Sequence, residues 1–241
     1  MLSKTEGVIL KSIKYGETSL IQDIYTKEYG LKSYIVSGVR NKKKSKAGSL
    51  QLMSIVELVA YHKKNNNSLS RIKEIKPLIY YKELPFEVLK SSVGIFITEV
   101  ARRSISQDEQ NEELYAFLKE SYLYLDKATG SFSLFPILFL IKFSQLTGFG
   151  PSTNYSEVNN SFHLMEGTFG QHNETSNYSL DPEISQYLYS LLFENYGISD
   201  LFTVPKATRQ QLLQELVNFY RIHVDGFGKL NSLTVLRELF D

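Results

Sequence analysis

From residue 3 to residue 76, short runs rich in Val, Ile, Thr and Tyr alternate with turn residues, a period suited to strands rather than helices. The runs predict strands at about Gly7–Ile13, Thr18–Thr26, Leu31–Ser37, Leu52–Tyr61 and Leu69–Ile75. Tyr15-Gly16-Glu17 and Glu28-Tyr29-Gly30 supply tight turns, the second with a glycine free to take positive φ. The fourth run, LMSIVELVAY, is almost continuously apolar and reads as a strand buried on both faces. Five short strands suit a small closed barrel, because closure removes the exposed edges of an open sheet. An OB-type barrel is the natural candidate, and an SH3-like barrel fits the pattern about as well.

From Leu84 the period changes. Phe86, Leu89, Val93, Phe96, Ile97 and Val100 recur at three and four residues, which predicts an amphipathic helix ending near Ser104. Its last turn carries Arg102 and Arg103, favourable against the helix dipole. Asp108 reads as the N-cap of a helix containing Leu114, Phe117, Leu118 and Leu125. Pro136 fits the first turn of a helix over Phe135–Leu146, apolar nearly all round and expected at the centre of a bundle. Further helices are expected at Glu183–Glu194, Thr208–Val224 and Leu230–Phe240. Between Gly148 and Leu180 the periodicity fails, and a Gly-, Asn- and Ser-rich stretch reads as a long irregular excursion with short extended pieces such as Phe162–Met165. The expectation is an α+β multidomain chain: a barrel over residues 1–80, then a helical domain over 81–241 with a polar insertion at 148–180.

Charge sharpens this division. The first 80 residues hold 15 Lys and Arg against 6 Asp and Glu, while the other 161 hold 12 against 20, so a net charge of +1 conceals +9 beside −8. Such asymmetry favours a polyanion-binding surface at the basic end. Its densest part is Arg40-Asn41-Lys42-Lys43-Lys44-Ser45-Lys46, between the third and fourth strands. A solvated loop would have the same composition. Further cations on neighbouring strands (Lys11, Lys14, Lys32, Arg71 and Lys73) favour phosphate contact, in which released counterions supply affinity without base reading. Tyr15, Tyr29 and Tyr34 could stack on unpaired bases, or could simply cover the barrel.

Other chemistries find little support. Without cysteine the chain forms no disulfide and no thiolate metal site. His163 and His172, with only scattered Glu157, Glu166 and Glu174 nearby, make a poor zinc set. There is no Gly-x-Ser-x-Gly elbow, phosphate-binding Gly-x-x-x-x-Gly-Lys loop or His-Glu-x-x-His motif. The acids of the basic part (Glu6, Glu17, Asp23, Glu28, Glu57 and Glu74) show no ligand spacing. No catalytic residue, metal or cofactor is expected. The start MLSKTEGVIL lacks the apolar run of a signal peptide, and the most apolar stretch, Leu134–Leu146, is too short to span a bilayer. A soluble cytoplasmic protein is expected.

The order of several short segments resembles the RecO family of bacterial recombination mediators. The segments are Glu6-Gly7-Val8-Ile9-Leu10, Tyr15-Gly16-Glu17-Thr18-Ser19-Leu20, Thr26-Lys27-Glu28-Tyr29-Gly30 and Gly38-Val39-Arg40 followed by lysines. The resemblance continues through Leu146-Thr147-Gly148-Phe149-Gly150-Pro151 to Ser232-Leu233-Thr234-Val235-Leu236-Arg237-Glu238-Leu239, covering essentially the whole chain. It implies an N-terminal OB fold, a helical C-terminal domain and a non-enzymatic, nucleoid-associated repair factor. Such a factor binds single- and double-stranded DNA and anneals complementary strands. With RecR it helps load RecA onto DNA coated by single-strand-binding protein, whose acidic C-terminal tail it contacts. Arg102, Arg103, Lys142, Arg209 and Arg221 are the cations available for that tail.

Three departures accompany the resemblance. Ser152–Leu180 lacks the four zinc-ligating cysteines of many relatives, Ser37 stands where many carry a basic residue, and Asn231 and Leu233 stand where arginines are frequent. Two other classes remain open from the sequence: an adaptor that docks proteins and touches nucleic acid only weakly, and a nuclease with an unrecognised site.

Overall fold

The computed structural model describes residues 2–39, 50–61, 69–106, 110–196 and 204–240. Its first part is a five-stranded closed barrel: β1 (Leu2–Tyr15), β2 (Ser19–Thr26), β3 (Gly30–Val36), β4 (Ile55–Tyr61) and β5 (Ser70–Pro77). The strand order is β1-β2-β3-β5-β4, antiparallel except where β3 meets β5, which is the OB arrangement. β1 serves two neighbours. Leu2–Val8 pairs with β4, and Gly7–Tyr15 pairs with β2, with a bulge between Ile9 and Lys11 that bends the strand around the barrel. Gly7 lies where the two registers overlap, and a Cβ there would sit 2.5 Å from Ile24 Cγ2.

The barrel core gathers Ile9, Leu20, Ile24, Tyr34, Val36, Val56, Leu58, Ala60 and Ile72. The fourth strand differs from the expectation of burial on both faces. It begins at Ile55, later than Leu52; Val56, Leu58 and Ala60 point inward, while Glu57 and Val59 alternate outward and are only partly covered. A closed barrel has one inner face, so a strand in it needs only every second residue apolar.

Six helices follow among the described residues: α1 (Val88–Ser104), α2 (Glu112–Lys127), α3 (Phe135–Leu146), α4 (Pro182–Leu191), α5 (Lys206–His223) and α6 (Ser232–Phe240). α1 starts later than its apolar pattern suggests. Phe86 and Leu89 are 75% and 42% exposed, and the buried face is Val93, Phe96, Ile97, Val100 and Ala101. Gly94 brings α1 close to Met53, whose Sδ would lie 2.4 Å from an added Cβ. The N-cap expected at Asp108 lies outside the described residues.

The chain divides into two compact units, Met1–Lys127 and Ala128–Asp241. The first unit therefore extends past the compositional change near residue 80 and takes in α1 and α2, which are tied to the barrel by polar side chains. Arg102 Nε donates to buried Asp23 at 2.6 Å, and Asp23 also accepts from Ser33 Oγ at 2.6 Å. Glu6 accepts from Tyr115 Oη at 2.8 Å and from Lys119 Nζ at 3.0 Å. Asp126 accepts the backbone N–H groups of Lys82, Glu83 and Leu84 at 2.8–3.1 Å, pinning the segment that leaves the barrel.

In the second unit α3 is buried along almost its whole length. Phe139 stacks on Phe143 at 5.5 Å between ring centroids, and Tyr220 of α5 donates to the Leu140 carbonyl at 2.7 Å. The stretch after Gly148 is less irregular than its composition predicts. It contains a hairpin, β6 (Ser161–His163) with β7 (Thr168–Gly170), whose Phe162 packs against Phe169 and Phe219. Asn154 both donates to the Phe169 carbonyl and accepts its N–H, while Ser185 Oγ accepts the Phe162 N–H. Aromatic packing and side-chain amides hold this segment.

Candidate nucleic-acid interface

The barrel exposes cations on several strands. Lys11 and Lys14 on β1 are exposed beside the β1–β2 turn, Lys32 on β3 is partly covered, and Arg71 and Lys73 on β5 are exposed. Arg71 sits at the closing contact of the barrel, paired with Tyr61 of β4 and Ile35 of β3. Lys73 falls in the irregularity of the β4–β5 pairing, between Ile72 opposite Ala60 and Glu74 opposite Val59. Arg40, Lys42, Lys43, Lys44 and Lys46 lie outside the described residues.

Two of the three tyrosines reach solvent. Tyr15 is 52% exposed at the end of β1, and Tyr29 is partly exposed in the β2–β3 turn. Tyr34 is not available: it is fully buried in the barrel core, so the stacking role expected of it is corrected to a packing role. Burial disfavours the phenolate and raises its hydroxyl well above the ordinary tyrosine range. The alternation of β3 places Tyr34 with Val36 on the inner face, but the same face carries Lys32 and the other carries Leu31 and Ile35, so the sequence pattern alone does not mark Tyr34 as internal.

The five cations considered for an acidic partner have different surroundings. Arg102 is committed to buried Asp23, and Arg103 pairs with Glu99 one turn earlier at 2.7 Å, so both act within the first unit's framework. Lys142 approaches the Leu192 carbonyl at 3.4 Å, and Arg221 donates to the Gly228 carbonyl and to Asn218. Arg209 donates to the Val204 carbonyl at 2.7 Å and lines a pocket. That small cavity, about 30 Å³, lies among α3, α5 and α6, with Pro136, Ile137, Leu213 and Leu236 as its apolar part and Lys206, Arg209 and Arg237 as its cations. Lys206 and Arg237 escape a reading of the sequence because each looks like an ordinary solvated helix residue; only the packing of α5 against α3 and α6 joins them.

Among the described residues no group of three or more His, Cys, Asp or Glu could hold a metal ion. His172 Nδ1 meets Ser161 Oγ at 2.9 Å and His163 Nε2 meets the Gln171 carbonyl at 3.1 Å, so these rings serve local hydrogen bonds. Among the described residues no helix is long and apolar enough to cross a membrane.

The geometry is thus a basic OB barrel with exposed cations on β1 and β5, followed by an aromatic helical unit. Comparison with known proteins agrees over the whole length. The family described as "Recombination protein O N terminal" matches residues 1–81, and that described as "Recombination protein O C terminal" matches residues 86–234. The chain is 35% identical to the DNA repair protein RecO of Phocaeicola vulgatus, and 35% identical to that of Flavobacterium psychrophilum, each over the full length of both chains. A more distant relative of the same name, from Porphyromonas gingivalis, is 25% identical, again over both full lengths. The barrel, the helical part and the sequence together make this chain a member of the RecO family.

Proposed function

We propose that this protein is a DNA-repair mediator that binds DNA through its basic barrel and brings complementary strands together. The observation that carries the reading is the concentration of positive charge, 15 Lys and Arg against 6 acids in the first 80 residues, on a closed OB-type barrel. Lys11, Lys14, Lys32, Arg71 and Lys73 on the strands, with Arg40, Lys42, Lys43, Lys44 and Lys46 in the sequence between β3 and β4, are the phosphate contacts in this reading. Annealing then needs no sequence contact, because cations bound to two backbones reduce their mutual repulsion.

The same proposal extends to partners. Acting with RecR, the protein helps load RecA onto single strands coated by single-strand-binding protein. The acidic tail of the latter docks on the second unit, at the pocket where Lys206, Arg209 and Arg237 surround Pro136, Ile137, Leu213 and Leu236. The unit's formal charge, 6 Lys and Arg against 11 Asp and Glu, repels such a tail at long range, so local apolar contact has to supply much of the attraction.

Gel shifts and annealing of complementary oligonucleotides by the purified full chain, across a range of salt, test the proposal. Salt-sensitive binding with accelerated annealing is the expected result. Partner binding without annealing would replace it with a protein-docking adaptor.

A further inference from the structure

β3 and β5 close the barrel through only two residue pairs, Tyr34 with Ser70 and Ile35 with Arg71. Beyond these pairs lies a groove of about 490 Å³, lined by 36–39 on one side and 72–76 on the other, with Glu57 and Val59 of β4 completing it. That volume falls within the range of ligand pockets, about 300–1,000 Å³. Val36, Val39 and Ile72 supply apolar lining, and Lys73 and Lys76 are exposed. β5 pairs with β4 along its other edge, so beyond Arg71 the edge toward β3 has no strand partner among the described residues.

Glu57 gives the groove an unusual electrostatic arrangement. One carboxylate oxygen meets Lys4 Nζ at 2.8 Å, and the other meets Lys76 Nζ at 3.0 Å. Both lysines are mostly exposed, whereas the Glu57 side chain is only 19% exposed. Hydrogen bonds from Lys4 and Lys76 hold its carboxyl below the ordinary carboxylate range, so it is charged at neutral pH. Lys76 therefore has an internal anion as its partner at the edge of a groove large enough for a ligand.

We infer that this groove is a phosphate-binding segment of a single-stranded DNA path, in which Lys73 and Lys76 meet the backbone and a phosphate displaces Glu57 from Lys76. The inference rests on the proposed reading of the barrel as a DNA binder. Continuity favours nucleic acid as the occupant: the groove wall ends at Val39, and the next residue is Arg40, the first of five cations in seven residues. A single strand suits the mixed lining because it presents both phosphates and unpaired bases, whereas a duplex turns its base faces inward. An ion pair whose lysine is 68% exposed is worth only a few-fold in an equilibrium, so a phosphate can replace the carboxylate, and the carboxylate can reclaim the lysine when the strand leaves. Glu57 in this role is a built-in competitor that weakens binding and eases release.

The experiment is a salt titration of labelled oligothymidylate binding to the full chain, with circular dichroism confirming the fold of each variant. Glu57→Gln should tighten binding about three-fold. Glu74→Gln removes the same charge from the groove without freeing a lysine and should tighten it less. Lys73→Ala should reduce the slope of log affinity against log salt by about 0.7, and the Lys73→Ala, Lys76→Ala pair by about 1.4. Equal effects of Glu57→Gln and Glu74→Gln, or unchanged slopes in both lysine variants, would overturn the inference while wild-type DNA binding stands. A wild-type chain that binds no oligonucleotide would remove the DNA reading itself, and this inference with it. Polyglutamate binding that depends on Lys73 and Lys76, beside oligonucleotide binding that does not, would reassign the groove to an acidic protein segment and overturn the proposal.

Discussion

In the first unit, helices are tied to the barrel by charged and polar side chains, whereas in the second, helix meets helix and hairpin through packed rings. Asp23, Glu6 and Asp126 each hold the first unit together across more than 40 residues of sequence. Phe139, Phe143, Phe149, Phe162, Phe169, Phe219 and Tyr220 take the corresponding part in the second. A surface that binds a polyanion needs spare cations, and a framework of ion pairs places cations beside the acids that orient them. An aromatic core makes no such use of charge. It also orders a Gly- and Asn-rich segment without thiolate ligands.

The contrast predicts unequal responses to substitution. Phe139→Ala should remove about 3–5 kcal/mol from the second unit, because it empties a fully buried ring site between Phe135 and Phe143. Urea unfolding, followed by hydrogen exchange over α3 and α5, measures this loss. Salt-dependent oligonucleotide binding, measured where the variant remains folded, should survive. Its loss would show that the aromatic unit, not the barrel, carries the DNA surface.

Arg102→Ala should cost the first unit about 2 kcal/mol, since it leaves Asp23, only 4% exposed, without its cation. It should leave binding of an acidic tail peptide unchanged, while Arg209→Ala weakens it. The reverse ranking would return the tail site to α1.

Asp126→Asn should cost about 1–2 kcal/mol at neutral pH and progressively less in acid. Burial alone would raise the Asp126 carboxyl, but the N–H groups of Leu84, Glu83 and Lys82 outweigh it and hold the group below the ordinary carboxylate range. Glu6 behaves similarly: burial opposes ionisation, but the hydrogen bonds from Lys119 and Tyr115 prevail. A carboxyl with its folded pKa depressed stabilises above its unfolded pKa and loses that contribution as pH falls through the folded value. Stability curves of wild type and Asp126→Asn should therefore converge below about pH 4. Parallel curves would mean that Asp126 acts through packing and not charge.

The legible and illegible parts of the fold separate along the same physical line. α3 was readable to its ends, because Pro136 and a continuous apolar run are local signals. The barrel was readable from five β-rich runs and their turns, although the first strand extends back to Leu2 because Leu2 pairs with Tyr61 of β4, 59 residues away. The attachment of α1 and α2 to the barrel was not readable. It depends on Asp23 finding Arg102 across 79 residues, and neither residue differs in sequence from a solvated charge. Tyr34 was not readable either, because its face of β3 also carries Lys32 while Leu31 and Ile35 lie on the other, and the smallest predicted effect follows from its burial. Tyr34→Phe should leave both the affinity for oligonucleotides and its salt slope unchanged, since the ring never reaches solvent.

The central claim, that phosphate contacts on the barrel and the basic segment between β3 and β4 provide DNA binding, is tested most directly by a salt titration of oligonucleotide affinity with Lys42, Lys43, Lys44 and Lys46 all changed to Ala. Every lysine that neutralises a phosphate in the wild type should, once replaced, flatten the plot of log affinity against log salt by about 0.7 on single strands, and binding at low salt should weaken accordingly. A folded quadruple variant with wild-type affinity and slope would contradict the account and place the DNA path away from this segment.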